Sequence, residues 1–161
     1  MRRLFTPLPL LFALLTLVAP PATAMKHAGP LLVDAEAGSR VVFIDPSNPF
    51  PAFFDLHLSM ENVTPDEMIT ITDISGEIEF RTGDTTPFSL PVIGPEGEPL
   101  VLEPGIGSAF FPLLVLPTDA PTGGAVARVT ITYEIAGETY TEEIAVHFVV
   151  VQRPPARQRQ S

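Results

Sequence analysis

The chain contains no cysteine and no tryptophan. Without cysteine it can form neither disulfides nor thiolate metal sites, and it cannot carry a lipid on an N-terminal Cys, so its stability must come from a packed core. Without tryptophan it lacks the usual aromatic platform for a sugar ring. After residue 24 there is no long apolar run and no sustained 3.6-residue periodicity. We therefore expect little helix and no membrane-spanning segment in the mature chain.

Basic residues are scarce as well. The chain has nine Lys and Arg against nineteen Asp and Glu, a formal charge of −10, and two of the nine, Arg2 and Arg3, stand at the N-terminus. A strongly acidic domain repels phosphate backbones and anionic lipid. The composition predicts that the partner is not a nucleic acid, and no cofactor is indicated.

The N-terminus has the order of a secretory leader. Arg2 and Arg3 precede an apolar run over residues 8–18, and the small triplet Ala22-Thr23-Ala24 follows. The run is shorter than the roughly 20 residues that a membrane-spanning helix needs. We predict a signal peptide over residues 1–24, with cleavage after Ala24 and a periplasmic or secreted protein.

The remaining length suits a single domain. Residues 25–38 show little periodicity and are expected to form a loose N-terminal segment. Residues 39–151 are expected to form the folded domain. Residues 152–161 are basic and proline-rich, and are expected to be a disordered tail.

Alternation of apolar and polar residues predicts the best-defined strands. It occurs at Val129, Ile131, Tyr133 and Ile135, before a short turn containing Gly137 and a second strand that runs to Val150. This segment is predicted to be an antiparallel hairpin. A similar alternation at Phe54, Leu56, Leu58 and Met60 predicts a strand whose apolar face lies opposite the hairpin.

Shorter patterns add strands at residues 40–44 and 68–72, with Ser75-Gly76 as a bulge or a tight turn. Residues 88–93 and 100–102 are predicted to be brief edge strands, and residues 108–116 a strand that Pro112 kinks or confines to an edge. About seven strands result, which favours an antiparallel two-sheet sandwich. A closed barrel is the second choice.

The segment Leu116-Pro-Thr-Asp-Ala-Pro-Thr-Gly-Gly124, followed by an alternating strand, a glycine turn and a valine-rich strand, resembles the last third of bacterial immunoglobulin-like domains. Met60-Glu-Asn-Val-Thr64, leading into Ile69-Thr-Ile71, is similar to early strands of the same adhesion-related and glycosidase-associated domains. The resemblance implies an immunoglobulin-like sandwich. Its motifs are structural and carry no activity with them. Such domains usually occur in tandem or beside a catalytic module, whereas this chain holds one.

Metal ligation has weak candidates. A copper site could draw on His57, Met60, Met68 and His147, but His57 and Met60 are three residues apart and point to opposite faces of a strand. His27 would be the third residue after cleavage, where a free amine and an imidazole bind cupric ion. Calcium would need the loop acids, which form no Asp-x-Asp-x-Asp-Gly loop: Asp45, Asp66, Glu67, Asp73, Asp84 and Asp119.

Catalysis is not predicted. Asp55, His57 and Ser59 share one strand face, but alternate residues are about 7 Å apart, which is too long for direct hydrogen bonds. A solvated polar face is the simpler interpretation. There is no Gly-x-Ser-x-Gly motif for a nucleophile.

Aromatic residues beside prolines are the candidate partner-binding residues. Phe50 and Phe53 lie close to Pro49 and Pro51, and Phe110-Phe111 precede Pro112. They could anchor a partner or fill one end of the sandwich. His147 lies among Ala145 and Val149 on a face that either the proline-rich middle or a partner covers.

The sequence thus predicts a non-catalytic, exported immunoglobulin-like module that binds a protein partner, with strand addition at an open edge as the mode. The alternative is a periplasmic copper carrier or a calcium-stabilised binding domain.

Overall fold

The computed structural model describes residues 23–26, 29–48, 50–94 and 97–153, and every regular element in them is a β-strand. None of these residues belongs to a helix that could cross a membrane. The strands are β1 (Thr23–Lys26), β2 (Leu31–Ala37), β3 (Val41–Ile44), β4 (Ala52–Asn62), β5 (Ile69–Phe80), β6 (Thr85–Leu90), β7 (Leu100–Leu102), β8 (Gly107–Phe110), β9 (Leu113–Leu116), β10 (Gly123–Ile135) and β11 (Glu138–Gln152).

Two sheets contain these strands. The first sheet has the order β1-β2-β4, with β8 and β9 both paired to the far side of β4. The second sheet has the order β3-β11-β10-β5-β6, with β7 also paired to β5. All pairings are antiparallel except that of β3 with β11. The predicted all-β, two-sheet architecture is confirmed. The described residues form eleven strands rather than about seven, because several are only three or four residues long.

The core lies between the two sheets and consists of the residues that alternation placed on the inner faces. Phe54, Leu56, Leu58 and Met60 of β4 are buried, as are Val129, Ile131, Tyr133 and Ile135 of β10. The rings of Phe54 and Phe148 stack with their centroids 4.1 Å apart. Since Phe54 belongs to the first sheet and Phe148 to the second, the stack joins the two layers.

The predicted closing hairpin is confirmed. β10 and β11 pair from Gly123↔Val150 to Ile135↔Glu138, and only Ala136 and Gly137 connect them. Both have positive φ, 51° and 83°. Two left-handed residues in a two-residue connection match the twist of antiparallel strands, which explains the tight reversal at this point.

The N-terminal segment differs from the prediction. Residues 25–38 were expected to be loose, yet β2 lies in the first sheet and buries Leu31, Val33 and Ala35. The alternation of these residues with Asp34 and Glu36 is short and ends in a small Ala, so its strand character is weak in the sequence. The predicted cleavage point after Ala24 lies within β1, which pairs with β2. Residues 1–22 of the predicted leader lie outside the described residues.

At the other end, Gln152 still belongs to β11 and pairs with Ile44 of β3. The guanidinium of Arg153 lies 5.7 Å from the centre of the Phe43 ring. The strand therefore extends into the segment that was expected to be tail. Residues 154–161 lie outside the described part of the chain.

The bulge in β5 lies earlier than predicted. β5 is one strand through Ser75-Gly76, and its register against β10 shifts between Tyr133↔Ile71 and Thr132↔Asp73, which leaves Thr72 as the extra residue. This extra residue changes the parity of the apolar positions from Ile71 to Ile74. Gly76 has a different role, since a Cβ there would overlap the carbonyl oxygen of Arg128 and contact the Phe88 ring.

Asn62, at the end of β4, is the buried polar residue of the described core. Its Nδ2 donates to the carbonyl oxygens of Glu67 and Leu102 at 2.7 and 2.8 Å, and its Oδ1 accepts from the amide and hydroxyl of Thr64 at 2.9 and 2.7 Å. Its own amide donates to Ile106 and its carbonyl accepts from Gly105. The side chain thereby fixes the 63–68 turn and β7, and the backbone of the same residue fixes the loop before β8.

Replacing Asn62 with Ala should lower the free energy of unfolding by about 3 kcal/mol or more, because several buried backbone groups lose their partners. Asn48→Ala is the matched control, since Asn48 Oδ1 accepts the Phe50 amide in an exposed turn. Its cost should be about 1 kcal/mol or less. Urea unfolding measures both. Equal losses for the two variants would contradict the role given to Asn62.

Gly76→Ala should cost about 2 kcal/mol or more, because the added methyl group meets the backbone of β10 and must displace it. Gly124→Ala is the control on β10, where a Cβ would meet open space. It should change stability by no more than about 0.5 kcal/mol. Thermal unfolding of both variants tests this difference, and a Gly76→Ala protein as stable as Gly124→Ala would show that the two strands can move apart at no cost.

Candidate functional site

The open edge of the first sheet is formed by β8 and β9 together. Leu58 pairs with Phe110 and Asp55 with Leu113, so one register continues across the interruption. Phe111 and Pro112 are thus placed opposite His57 and Leu56, and the Leu56 amide donates to the Pro112 carbonyl at 3.1 Å. Pro112 itself has no N–H to return, which interrupts the ladder here. No described strand pairs with the far side of β8 or β9.

Large apolar side chains lie exposed along this edge. We call Phe53, Phe111, Leu113 and Val115 the edge patch; they are 50, 67, 61 and 55% exposed. Val115 pairs with Phe53, so the two lie side by side on the outer face of the sheet. Leu114 and Leu116, on the opposite parity, are buried in the core. The patch is therefore a consequence of the strand's alternation and not of a loose loop.

The predicted aromatic residues separate into three locations. Phe53 and Phe111 belong to the edge patch. Phe50 is 74% exposed and lines a cavity of about 180 Å³ with Phe43 and Arg153, whereas Phe110 points inward and packs against the core. Leu113 and Val115 were missed by the sequence analysis, because the continuous apolar run Leu113–Leu116 hides which residues face outward. The one signal that could have identified them is strand alternation, which requires that every second residue of such a run faces outward.

Carboxylates lie beside the edge patch on the same outer face. Asp55 pairs across the sheet with Leu113, and Glu61 pairs with Gly107. Asp34 and Glu36 follow on the neighbouring β2. In the first sheet, β2, β4, β8 and β9 contain no Lys or Arg, and Lys26 belongs to β1 at the opposite edge. The edge is thus apolar at β9 and bordered by uncompensated negative charge.

His57 lies between two of these carboxylates. Its Nδ1 is 3.4 Å from Glu36 Oε1 and its Nε2 is 3.4 Å from Asp55 Oδ2, and its ring meets the Phe111 ring edge-on at 5.1 Å. Asp55 and His57 approach more closely than the spacing of about 7 Å between alternate residues, because their side chains lean together along β4; of the two carboxylates, Glu36 forms the hydrogen bond with the ring. No hydrogen bond among the described residues joins His57 to Ser59. The imidazole therefore has carboxylates on both sides.

The predicted metal ligands are far apart. Within the described ranges, no group of three or more His, Asp or Glu side chains is placed to hold a metal ion. His57 lies on the outer face of β4 while Met60 is buried in the core, as the spacing predicted, and His147 is exposed on β11 of the second sheet. Met68 is exposed before β5. His27 lies outside the described residues.

Among the loop acids, Asp45 has a local structural role. Its Oδ1 accepts hydrogen bonds from the hydroxyl and the amide of Ser47, and these lower the pKa of Asp45. Asp84 accepts from the hydroxyl of Thr82, and Asp73 from that of Ser75. These carboxylates stabilise their own turns and strands.

A second exposed apolar group lies on the second sheet. Val41 and Phe43 of β3 stand beside Val149 and Val151 of β11, and all four are at least 36% exposed. His147 is exposed two residues before Val149. None of the described proline-rich middle covers this face. The predicted apolar outer surface near His147 is therefore present, on the opposite side of the sandwich from the edge patch.

Two tyrosines have raised pKa values away from both surfaces. Burial, with nearby Glu142 and Tyr140, raises the pKa of Tyr133. A hydrogen bond to Glu138, 2.7 Å long, raises the pKa of Tyr140. The two rings stack at 5.7 Å, which indicates a packing role near the closing turn.

Comparison with known proteins gives a likeness of fold alone. No protein-family model matches the chain, and no curated protein matches it. A crystal structure from Bordetella pertussis, of a protein that bears the provisional name ApaA, is similar over 78% of this chain and 95% of its own, with 18% identity and a TM-score of 0.53. A second solved structure, a structural genomics target, is similar over 81% of this chain and 90% of its own, with 16% identity and a TM-score of 0.47.

Adjacent leucines on β9 test the assignment of the edge patch. Leu114→Ala should cost about 2 to 5 kcal/mol because Leu114 is buried, whereas Leu113→Ala should cost about 0.5 kcal/mol or less. Chemical unfolding of the two variants provides the comparison. A large loss for Leu113→Ala would mean that its side chain is already packed within the protein and is not available to a partner.

Proposed function

We propose that this chain is a non-catalytic, exported immunoglobulin-like module that binds a protein partner by adding the partner's strand to the β8–β9 edge. The leader pattern supports export, and the two-sheet antiparallel architecture supports the resemblance. The proposal rests on the edge patch, which lies along strands whose far side pairs with no described strand.

Backbone groups at this edge are ready for pairing. In an antiparallel ladder, the N–H and C=O of successive residues point alternately toward and away from the neighbouring strand. The Pro112 carbonyl points toward β4, where it accepts the Leu56 amide. Leu113 and Val115 are on the other parity, so their backbone groups point outward. Natural sheets usually protect such edges with Lys, Pro or bulges, and here only Pro112 interrupts an apolar row.

The size of the patch agrees with a binding surface. Taking roughly 150 to 250 Å² for a fully exposed large side chain, the exposed fractions sum to about 400 Å². That lies within the ~300 to 600 Å² of the largest patch on a typical monomer, which is often functional. Burying it contributes about 10 kcal/mol at ~25 cal/mol/Å², similar to the ~4 to 15 kcal/mol cost of association. Backbone pairing is therefore needed for stable binding.

The metal-handling alternative has less support. His57, Met60 and His147 lie on different faces or in different sheets, and the carboxylates of Asp45 and Asp84 stabilise local turns. No observation on the described residues favours it over strand addition.

A variant of the edge tests the proposal. Leu113→Lys places a charge in the edge patch, and Thr139→Lys adds the same charge at an exposed position of β11. A photo-crosslinking residue at Val115 of the protein expressed from its full-length gene should capture one defined envelope protein. The Leu113→Lys variant should lose this product while Thr139→Lys retains it.

Hydrogen exchange supplies the second readout. In the complex, the amides of Ala109, Phe111, Leu113 and Val115 should become protected, since these point away from β4 and the partner's strand accepts hydrogen bonds from them. Equal crosslinking by the two Lys variants, or protection only at β3 and β11, would contradict the β8–β9 edge as the binding surface.

A further inference from the structure

We propose that the segment received by the β8–β9 edge is an extended peptide of a partner protein with a Lys or Arg opposite β8 and apolar residues at alternate positions opposite β9. This inference rests on the proposed function and specifies its partner. Three features carry it: the small residues of β8, the carboxylates behind them and the edge patch at β9.

The β8 end of the edge is open toward the sheet. Gly107 and Ala109 present no large side chain, and a cavity of about 330 Å³ lies over them, with Asp34, Ser59 and Glu61 in its lining. Gly107 pairs with Glu61, so nothing stands between an added strand and the Glu61 side chain at this position. Two strand spacings, about 9.6 Å, separate an added strand from β4. An extended Lys or Arg reaches across that distance to a carboxylate.

Asp34 reinforces this preference. Its Oδ1 is buried and has no hydrogen-bond donor among the residues that the structure describes. A buried carboxylate oxygen without a donor is unfavourable, and buried polar atoms in native structures nearly always have a partner. Asp34 lines the same cavity as Glu61. An ammonium or guanidinium group entering from the edge supplies the missing donor.

At β9 the preference changes to apolar side chains. Leu113 and Val115 face outward, Phe53 lies beside them, and Phe111 is two residues before Leu113 on the same face. A strand added here places alternate side chains against this patch. Gly107 and Leu113 are six residues apart along the edge, about 20 Å at the rise of a strand. The peptide must therefore be extended over roughly seven to nine residues to contact both ends.

Charge favours a basic peptide over a second copy of this chain. Four strands of this sheet, β2, β4, β8 and β9, contain no Lys or Arg, and the chain carries a formal charge of −10. Edge-to-edge pairing of two copies would bring like-charged faces together, which costs binding free energy. A basic, apolar peptide gains from both features of the edge.

Peptide selection tests this inference directly. A display library of random dodecapeptides is selected against the protein expressed from its full-length gene. Enriched sequences should combine Lys or Arg at one end with apolar residues at alternate positions toward the other. Replacing the basic residue of an enriched peptide with Glu should weaken binding at least tenfold by fluorescence anisotropy, and the difference should shrink as salt is raised.

Variants of the protein locate the effect. Asp34→Asn combined with Glu61→Gln should abolish most of the preference for the basic peptide over its Glu counterpart, and Leu113→Lys should weaken both peptides. Asp119→Asn, at an exposed loop position, should leave both affinities unchanged. Because the charge-reversed peptide is tested on the unaltered protein, the result does not depend on every variant folding.

Other outcomes overturn the inference. Enriched peptides without basic residues, or a preference that survives Asp34→Asn with Glu61→Gln, would show that the acidic cavity does not select the partner, while the edge itself still binds. A dimer in sedimentation that Leu113→Lys dissociates would make a second copy the occupant. If no peptide is enriched although the envelope partner still crosslinks at Val115, the inference of an extended basic segment is wrong. The proposal that a protein adds a strand to this edge would still hold.

Discussion

The hydrogen bonds of Asn62 are the constraint on which the arrangement of the two sheets depends. This residue ends β4 of the first sheet, binds the carbonyl of Leu102 in the second, and is bonded through its backbone to Gly105 and Ile106 just before β8. An apolar side chain at this position would leave the 63–68 turn and β7 without their shared anchor. Because the amide side chain is fully enclosed, these bonds form where water cannot replace them. The position of the open edge is thus set from inside the core.

That edge differs from the others in the protein. The outer strand β6 carries Pro87 and pairs along only six residues, while β3 has four residues and is held by β11. By contrast, β8 and β9 extend one register along most of β4 and expose Phe111, Leu113 and Val115. The net negative charge of the chain opposes edge-to-edge pairing of two copies.

Alternation of apolar and polar residues made the central strands predictable. Where this alternation is short or absent, the sequence did not indicate which residues face the core. β4 and β10 have long two-faced patterns, so their inner residues could be named from the sequence. β2 alternates over few residues and ends in Ala, and β9 is apolar at every position. The inner face of neither strand could therefore be predicted from the sequence. Pairing partners depend on contacts between distant residues. For that reason the neighbours of β4, and with them the edge patch and the contact of His57 with Asp55, required the three-dimensional structure.

The parallel pairing of β3 with the last residues of β11 has a kinetic consequence. Val41–Ile44 can join the second sheet only when residues 149–152 are present, which are separated from it by nearly the whole domain. Closing so large a loop costs chain entropy before any contact is gained, and folds rich in such contacts form slowly. During synthesis, β3 therefore remains without its partner until the final strand has emerged, whereas β2 and β4 can already pair with each other.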